Sequence, residues 1–556
     1  MKFNEDTRVK IPTLIHLTRL GYKYISLKNN QWDVNTNIFT DIFKRSLKKI
    51  NPKVTEHELD NLYKEISLCL DNEDLGRKFF EKILSKSGIK TIDFENTENN
   101  SFNVVTELPY KKDDEEFRPD ITLLINGIPL VFIEVKKPNN KDGMLAERKR
   151  IQTRFKNKKF KKFINITQLI IFSNNMNYDD SSLQQLEGAF YATTSNKNVI
   201  FNHFREEENI NFENILEKIS DEVENEILVD NNLQSIKKKI ELQTNKDPNT
   251  PTNKICTSLL SIDRLLFLLE FGIVYVKGVN DLQKHIMRYP QFFATKQIKD
   301  KIENGIKSGI IWHTQGSGKT ALAYFSLKYL SEYFRKKKII PKFYFIVDRI
   351  DLLKQASKEF KSRGLSVYNM DSKENFSRDI RSNVAIHNST GNDEITVVNI
   401  QKFENDNDTI LENDYNVNIQ RIFFLDEVHR SYNPTGSFLA NLHLADKKAI
   451  KIGLTGTPLL GDNNSRSLFG NYIHKYFYNQ SIADGYTLRL IREGIETQYR
   501  MSLQQTLDQI KILKGDIDKR DLYSDPKFVE PMIDYIVKDF EKSRISMNDN
   551  TIGAMV

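Results

Sequence analysis

The amino-acid sequence predicts an α/β protein with a parallel sheet in its C-terminal half. From Gly309 onward, short apolar runs alternate with stretches of helical periodicity; the runs are GIIWHT, FYFIVD, TVVNIQ, RIFFLDE and KIGLTGT. This alternation is typical of parallel strands joined by crossover helices. Residues 100–175 contain further β-branched or aromatic runs (NVVTEL, ITLLI, LVFIEV and QLIIFS) between helical stretches at 1–90 and 203–242. They predict a separate, strand-rich domain.

The composition is that of a folded globular protein. Hydrophobic residues make up 39% and charged residues 28% of the 556 positions, which excludes a long disordered chain. The formal net charge of +7 permits nucleic-acid binding without requiring it. The two cysteines, Cys69 and Cys256, are too few for a disulfide framework and fit a reducing cytoplasm. The most apolar segment, 258–276, carries three charges, so we expect a packed amphipathic helix and no membrane span.

Four regions follow from these patterns. The segment QTNKDPNTPTNK (243–254) has two prolines and no large apolar residue, which indicates a domain boundary. A helical stretch at about 256–306 and an acidic surface loop at 405–416 are also expected. The expected regions are a first domain at 1–242, a linker with connecting helices at 243–280, a second domain at 281–495 and a last segment at 496–556.

The segment HTQGSGKT (313–320) has the composition and the context of a phosphate-binding loop. It follows the apolar run GIIW and precedes a helical stretch, the arrangement that such a loop requires. Glycines let backbone N–H groups approach phosphate oxygens, and the helix N-terminus adds a positive dipole end. Lys319 would reach the β- and γ-phosphates of ATP, and Thr320 would offer its hydroxyl to Mg²⁺. His313 stands where the general pattern has glycine. The residues expected to bind the nucleotide are Thr314, Gln315, Gly316, Ser317, Gly318, Lys319 and Thr320.

Two further polar segments follow apolar strands of the same predicted sheet. The run RIFFL (421–425) is followed directly by Asp426 and Glu427, so both carboxylates are expected at the edge of the sheet where the phosphate loop lies. We expect Asp426 to hold Mg²⁺ and Glu427 to polarise the attacking water. The segment GLTGTP (453–458) offers small hydroxyl residues that suit a loop responsive to the nucleotide.

Residues 118–136 predict a β-hairpin. Asn126-Gly127 lies between two apolar runs, which is the strongest short signal for a tight turn. A two-residue turn pairs residues whose numbers sum to 253, and a four-residue loop through Pro129 gives a sum of 255. Asp120 then faces Ile133 or Val135.

This hairpin gathers two carboxylates and a lysine. In either register Asp120 ends within one pair of Glu134, and strand alternation puts Glu134 and Lys136 on one face. Carboxylate oxygens suit a hard cation such as Mg²⁺. The cation and the ammonium of Lys136 would then stabilise negative charge developing on a phosphate.

In order, TQGSGKT, DEVH and LTGTP resemble motifs I, II and III of superfamily 2 helicases and translocases. FIVDRIDLLKQ (345–355) resembles motif Ia, and TVVNIQKF (396–403) resembles the next motif strand. The resemblance implies a RecA-like ATPase domain at 281–495, with Arg349 near the DNA backbone. RYPQ (288–291) resembles the adenine-reading element, which implies that role for Gln291.

The dipeptide PD (119–120) followed by EVK (134–136) resembles the PD-(D/E)xK nuclease pattern. The resemblance implies a Mg²⁺-dependent endonuclease domain at 1–242, with Asp120, Glu134 and Lys136 as its catalytic residues. Related nucleases carry a glutamine followed by an aromatic residue. Gln152 and Phe155 show an imperfect form of that spacing, so Gln152 is a candidate helper.

A nuclease domain ahead of a helicase-type ATPase resembles the restriction (R, or HsdR) subunit of type I restriction-modification enzymes. RPDITLLINGIPLVFIEVK and the preceding DFENTENNSFNVVTEL are similar to the N-terminal domain of that family. The resemblance implies ATP-driven translocation on double-stranded DNA and cleavage away from the recognition sequence. It also implies methylation (M) and specificity (S) subunits as partners and a cytoplasmic location. Residues 496–556 are then a connector and only the start of a second RecA-like domain, so the chain alone should bind ATP weakly.

Other interpretations use the same motifs. A helicase–nuclease of DNA repair has the same parts. A type III restriction subunit carries its nuclease after the motor, so the domain order disfavours it. An ATP-controlled DNA-binding module with a decayed nuclease is a non-enzymatic alternative, and the presence of all three nuclease residues argues against it.

Overall fold

A computed structural model describes the protein at residues 5–180, 187–195, 198–278, 281–370, 372–382, 384, 386–399, 418–428, 446, 448–457, 470–487, 497–514 and 524–547. The chain divides into two compact units, Met1–Thr487 and Leu488–Val556. The strands are β1 (Lys23–Tyr24), β2 (Phe102–Thr106), β3 (Tyr110–Lys112), β4 (Glu115–Phe117), β5 (Ile121–Ile125), β6 (Ile128–Val135), β7 (Leu169–Ser173), β8 (Ala189–Ala192), β9 (Asn202–His203), β10 (Ile273–Lys277), β11 (Leu282–Ile286), β12 (Ser308–His313), β13 (Ile340–Val347), β14 (Ser366–Met370), β15 (Glu394–Asn399), β16 (Ile419–Leu425), β17 (Ile450–Thr455) and β18 (Tyr472–Tyr476).

Helices flank these strands throughout the chain. They are α1 (Ile11–Arg19), α2 (Thr40–Ile50), α3 (Glu56–Cys69), α4 (Arg77–Ile83), α5 (Lys141–Lys156), α6 (Lys161–Ile166), α7 (Phe212–Ile215), α8 (Asp221–Asp230), α9 (Ile240–Asn245), α10 (Pro251–Leu260), α11 (Ile262–Phe267), α12 (Tyr289–Glu303), α13 (Lys319–Lys336), α14 (Ile350–Ser362), α15 (Lys373–Arg381), α16 (Tyr478–Ala483), α17 (Thr497–Lys514) and α18 (Pro526–Met547).

The first sheet has the strand order β1-β2-β5-β6-β7-β8-β9. β1 is parallel to β2 and β6 is parallel to β7, while the other neighbours are antiparallel. The four runs that predicted strands form β2, β5, β6 and β7. Every residue of β5, β6 and β7 is buried. Because successive side chains point to opposite faces, these strands are covered on both faces.

The predicted turn between β5 and β6 forms at Asn126-Gly127. Both residues have positive φ, 52° and 78°, as a tight hairpin turn of this type requires. A Cβ atom on Gly127 would lie 2.6 Å from the carbonyl oxygen of Phe39, so the turn needs glycine at this position.

The register of this hairpin begins as one of the two predicted registers and then departs from it. Pairs next to the turn sum to 253, as in Ile125↔Ile128, but the ladder shifts after Leu124, and Ile121 pairs with Ile133. The shift is an irregularity of the bulge type, which adds one residue on the β6 side. Continued to the end of the strand, this register puts Asp120 opposite Glu134 and not opposite Ile133 or Val135.

The second sheet has the order β14-β15-β13-β16-β17-β12-β18, and each described pair of neighbours is parallel. The predicted parallel α/β architecture is confirmed. The five predicted runs form β12, β13, β15, β16 and β17. The edge strands β14 and β18 were not predicted, because each mixes buried with partly or fully exposed positions and lacks a continuous apolar run.

The helical stretch expected at about 256–306 is interrupted by a hairpin. α11 continues into a π-helical turn that ends at Gly272, and β10 then pairs antiparallel with β11. The single amphipathic helix expected at 258–276 is therefore wrong. The run IVYVK is β-branched and aromatic, which favours a strand over a helix.

The segment expected to be a linker also differs from the prediction. α10 begins within it, with Pro251 in the first turn, where proline is tolerated. The helix is buried against α1: the Tyr22 hydroxyl donates to the Leu260 carbonyl at 2.7 Å, and His16 Nε2 lies 2.7 Å from Thr257 Oγ1. The second half of the expected linker is thus part of a core.

The unit Leu488–Val556 contains α17 and α18, whose Tyr499 and Tyr535 rings stack with centroids 4.1 Å apart. The loop expected at 405–416 and residues 548–556, part of the expected start of a second RecA-like domain, lie outside the described residues. In the ranges that the structure describes, no helix is both long and apolar enough to span a bilayer.

Asp484, which follows α16, is a buried acceptor for three hydrogen-bond donors. Its Oδ2 accepts from the hydroxyls of Tyr289 at 2.6 Å and Tyr476 at 2.7 Å, and its Oδ1 accepts from Arg205 at 3.3 Å. These donors belong to α12, β18 and the segment after β9. The Asp484 carboxylate therefore links α12 and β18, which both contact the phosphate loop, to the segment that follows β9 of the first sheet.

We predict that Asp484→Ala destabilises the unit Met1–Thr487 by about 3 kcal/mol or more, because two buried hydroxyls and a guanidinium lose their acceptor. The urea midpoint of the 556-residue chain, followed by circular dichroism, measures this change. Asp534→Ala is the control, since Asp534 is 62% exposed in its pair with Lys538. Equal midpoints for the two variants would contradict the importance of Asp484.

Candidate active sites

Asp120, Glu134 and Lys136 meet at the end of the β5–β6 hairpin. Lys136 Nζ donates to Glu134 Oε1 at 2.9 Å and lies 3.8 Å from Asp120 Oδ2. The backbone N–H of Val135 donates to the same Asp120 oxygen at 2.8 Å. The structure therefore brings together the three residues that the nuclease pattern singled out.

Two more carboxylates reach the same ammonium, and sequence reasoning missed both. Glu147 Oε2 on α5 lies 3.8 Å from Lys136 Nζ, and Glu5 Oε1, before α1, lies 3.9 Å from it. Glu147 shares the buried face of α5 with Ile151 and Phe155. This spacing, a glutamate in line with two apolar residues, was a signal that the sequence offered. Glu5 had no comparable signal.

The cluster has a surplus of buried negative charge. Lys136 faces four carboxylates, while Arg150 and Arg154 each lie 3.2 Å from Glu147, and the charge of Arg154 also acts on Glu134. Burial and the charge of Asp120 raise the pKa of Glu134 to about 8. The pKa of Lys136 is also raised, because the carboxylates outweigh the effect of its burial. A further cation would relieve both shifts.

The residues present fit a divalent cation. Glu134 Oε2 is buried without a hydrogen-bond partner among the described residues, so it is an open ligand position. In the same ranges, no three His, Cys, Asp or Glu side chains already converge as a metal cage. Mg²⁺ is commonly held by one or two carboxylates, with water and phosphate oxygens completing its shell, so a carboxylate pair suffices.

Gln152, the candidate helper, does not join this cluster. It is half-buried on α5, and the described contacts include no hydrogen bond from it to Asp120, Glu134 or Lys136. Glu147 is the α5 residue that reaches the ammonium.

The phosphate loop leaves β12 and enters α13 at Lys319, as predicted. The Thr314 N–H donates to the Tyr476 carbonyl at 3.0 Å, and the Thr314 carbonyl accepts from the Ser317 hydroxyl at 2.6 Å. Gly316 and Gly318 have φ of 77° and 87°, a conformation that favours glycine. Gln315, like Gly316, is exposed at the tip of the loop, while Thr320 lies partly buried in the first turn of α13.

Asp426 and Glu427 follow β16 at the same edge of the sheet. The Asp426 N–H donates to the Ile346 carbonyl at 2.9 Å, which extends the pairing with β13. Burial raises the pKa of Asp426 to about 6, although the charge of Lys319 acts against the rise. Glu427 has φ of 52°, an uncommon conformation for a residue other than glycine and one that recurs at functional sites.

The predicted loop GLTGTP (453–458) lies, at Gly456, against the phosphate loop. A Cβ atom on Gly456 would lie 3.1 Å from Gln315 Cγ and 3.3 Å from Lys319 Nζ. The final residues of two motifs, His429 and Pro458, lie outside the described residues. The described parts of all three motifs thus meet around Lys319.

Gln291 contacts the phosphate loop directly. Its Nε2 donates to the Gly318 carbonyl at 3.2 Å, and its Oε1 accepts from the Arg288 N–H at 3.0 Å. Beside it is a cavity of about 530 Å³, a volume typical of small-molecule sites. The cavity is lined by Arg288, Gln291, Gly316 and Gly318 and, from the region of the first sheet, by Thr193 and Asn202.

Arg349, the candidate DNA contact, lies at the N-terminus of α14, directly after β13 and Asp348. Its side chain is 58% exposed, with Nε 3.8 Å from Asp348 Oδ2. It is therefore accessible at the edge of the sheet where the phosphate loop lies.

Comparison with known proteins finds two family models, one over each half of the chain. The family model for the type I restriction enzyme R protein N terminus matches residues 2–179, and the SWI2/SNF2 ATPase model matches residues 290–521. The MjaIXP protein of Methanocaldococcus jannaschii, named as a type I restriction enzyme endonuclease subunit, is 25% identical over 89% of this chain and 46% of its own length. The chain is a relative of the type I restriction R subunits. The Staphylococcus aureus type I restriction enzyme SauCOLORF180P endonuclease subunit is 24% identical over 98% of this chain and 52% of its own.

This R-subunit relative spans about half the length of the curated relatives it matches. Among solved structures, the Hef helicase domain of Pyrococcus furiosus is 17% identical, with a TM-score of 0.27, and the match covers 45% of this chain and 54% of that one. The R-protein N-terminal model contains the Asp120 cluster, and the SWI2/SNF2 model contains the phosphate loop and the acidic pair.

We predict that Gly318→Ala lowers the affinity of this R-subunit relative for ATP at least about tenfold, because the new Cβ would lie 2.7 Å from Gln291 Nε2 and push this buried side chain away from the Gly318 carbonyl that it holds. Titration with a fluorescent ATP analogue measures the affinity.

Gly364→Ala is the matched control. Gly364 has a similar φ of 89°, but a Cβ atom there meets nothing within 4 Å. The Gly364→Ala substitution imposes the same backbone strain without the collision. The affinity of this variant for ATP should therefore stay within about twofold of that of the unsubstituted chain. Unchanged affinity in Gly318→Ala would contradict the role of the loop.

Proposed function

We propose that this chain is the nuclease and motor part of a type I restriction R subunit. It hydrolyses ATP to translocate on double-stranded DNA and cleaves that DNA away from the recognition sequence. The observation that carries the proposal is the occurrence of the carboxylate–lysine cluster and the phosphate loop in one compact unit. We place the endonuclease domain at 1–242 and the first RecA-like domain at 281–495.

In the proposed nuclease site, Asp120 and Glu134 hold Mg²⁺, which when bound activates water and polarises the scissile phosphate. Lys136 donates a hydrogen bond to a non-bridging phosphate oxygen and stabilises the charge that develops there. Asp120 is oriented for this task by the Val135 N–H, and Glu147 holds Lys136 from the side of α5. Because the site sits at the end of buried strands, its donors are fixed before DNA arrives.

In the proposed motor site, the backbone of 314–318 surrounds the phosphates and Lys319 binds the β- and γ-phosphates of ATP. Thr320 and Asp426 are the residues that would hold Mg²⁺ with the nucleotide. Glu427, next to Asp426 on the same sheet edge, orients the attacking water. Gln291 and the adjoining cavity accept the adenine, and Arg349 contacts the DNA backbone during translocation.

The proposed partners are double-stranded DNA and the M and S subunits of the restriction complex, in the cytoplasm. In this arrangement the DNA sequence is read by another subunit, so this chain needs only contacts to the DNA backbone. Co-purification with a DNA methyltransferase would support the restriction function. Mg²⁺-dependent cleavage without such a partner would favour the alternative, a helicase–nuclease of DNA repair.

We predict that Lys136→Ala lowers DNA cleavage by the assembled complex at least about 100-fold, because the charge on the phosphate loses its ammonium. ATP hydrolysis should stay within about twofold. Linearisation of a plasmid measures the first and phosphate release the second. Lys137→Ala is the control, since the side chain of the adjacent Lys137 is exposed and only its backbone N–H, which the substitution keeps, donates to Glu5 of the cluster. Normal cleavage by Lys136→Ala would refute the nuclease assignment.

We predict that Lys319→Ala lowers DNA-stimulated ATP hydrolysis by the assembled complex at least about 100-fold, because the phosphates lose a direct charge contact. Cleavage of plasmid DNA by the assembled complex should fall in parallel, since translocation precedes cutting. Lys307→Ala is the control, because Lys307 is exposed before β12. A Lys319→Ala protein that hydrolyses ATP at the normal rate would show that the motor site lies elsewhere.

A further inference from the structure

The phosphate loop begins with a fully buried histidine that is linked to the first half of the chain. His313 Nε2 lies 2.8 Å from Nδ1 of His474, on the neighbouring strand β18. His474 Nε2 in turn lies 2.6 Å from Oε2 of Glu207, in the segment that follows β9. The three side chains form a continuous hydrogen-bonded relay, which we call the histidine relay, from the region of the first sheet to the phosphate loop.

The position of Glu207 is well defined by its neighbours. Glu206 accepts a hydrogen bond from Arg264 at 2.6 Å, and Glu208 accepts one from Lys296 at 2.7 Å. These two ion pairs anchor the segment to α11 and α12. Glu207 lies between them and is directed at His474, whose side chain is only 2% exposed.

The chemistry of the relay assigns a proton to each ring. A carboxylate only accepts hydrogen bonds, so His474 must carry a hydrogen on Nε2. With both rings neutral, Nδ1 of His474 is an acceptor, and His313 must donate from its own Nε2. Nδ1 of His313 is then the unprotonated nitrogen. Burial and the charge of Lys319 lower the pKa of His313, which keeps that ring neutral.

The tautomer of His313 matters because its Nδ1 lies at the base of the loop. That atom is buried and has no hydrogen-bond partner among the residues described. The next residue, Thr314, is held by the Tyr476 carbonyl and by the Ser317 hydroxyl. In the other tautomer, the unprotonated Nε2 would face the unprotonated Nδ1 of His474, so the hydrogen bond between the rings would be lost, and the hydrogen on Nδ1 would be buried without an acceptor at the first residue of the loop.

We propose that Glu207 is a positioning residue of the nucleotide site: through His474 it holds His313 in the Nε2–H tautomer and so keeps the phosphate loop ready for nucleotide. This inference rests on the proposed ATP site. Because Glu207 comes from the segment after β9, it makes nucleotide affinity depend on the nuclease half of the chain. By linkage, nucleotide binding then acts back on that segment.

The tautomers can be observed directly. In the 556-residue chain labelled with ¹⁵N-histidine, long-range ¹⁵N–¹H correlation at pH 8 should show Nε2–H for both rings, assigned with His313→Gln and His474→Gln. Glu207→Ala should release this preference and weaken the binding of a fluorescent ADP analogue about fivefold, the size of one net hydrogen bond. Glu207→Gln keeps an oxygen acceptor and should restore both the tautomers and the affinity. Glu213→Ala, which removes an exposed carboxylate on α7, is the control and should bind within about twofold of normal.

A second readout needs no substitution and remains available if Glu207→Ala does not fold. Binding of the ADP analogue to the unsubstituted chain should shift the Nδ1 resonance of His313, while exposed His57 on α3 stays unchanged. Unchanged tautomers or unchanged affinity in folded Glu207→Ala would overturn the proposed role of the relay. A His313 Nδ1 resonance that does not shift when nucleotide binds would overturn it as well. No binding by the unsubstituted chain is a different result: it would contradict the proposed ATP site, whereas the tautomers would still report on the relay.

Discussion

Strands that are buried on both faces leave room for charged groups only at their ends. A charged side chain within β5, β6 or β7 would lose its hydration without gaining a partner. The exception is Glu134 near the end of β6, which accepts a hydrogen bond from Lys136. Asp120 directly precedes β5, and Lys136 directly follows β6. In the second sheet, the phosphate loop follows β12, and the acidic pair follows β16. The architecture thus concentrates the chemistry at two sheet edges.

The nuclease cluster departs from balanced charge in a way that suits its proposed task. Four carboxylates, those of Glu5, Asp120, Glu134 and Glu147, face three cations, Lys136, Arg150 and Arg154. Such a site is electrostatically incomplete. A divalent cation with its bound phosphate would supply the missing positive charge and satisfy Glu134 Oε2, whereas a structural ion-pair network would be expected to neutralise itself.

The two halves of the first unit share residues around the nucleotide site. Tyr486 donates to Asn202 of β9 at 3.1 Å, and the guanidinium of Arg288 stacks 3.9 Å from the Tyr486 ring. Arg288 also contacts the Gly316 carbonyl at 3.4 Å. Together with Asp484 and the histidine relay, these contacts give several short physical routes between the phosphate loop and the first sheet. In the proposed function cutting follows translocation, and such routes would couple the two sites.

The sequence by itself determined the parallel sheet, the phosphate loop, the acidic strand end and the carboxylate–lysine hairpin. Each of these depends on local periodicity or on a short motif whose parts lie close together in the chain. Only the tertiary structure decided the shift of register that sets Asp120 opposite Glu134, the β10–β11 hairpin, and the arrival of Glu5, Glu147 and Glu207. These features depend on which surfaces of distant segments pack together. A single glutamate carries the same local pattern whether it faces water or a buried ammonium, so its partner is decided by packing alone.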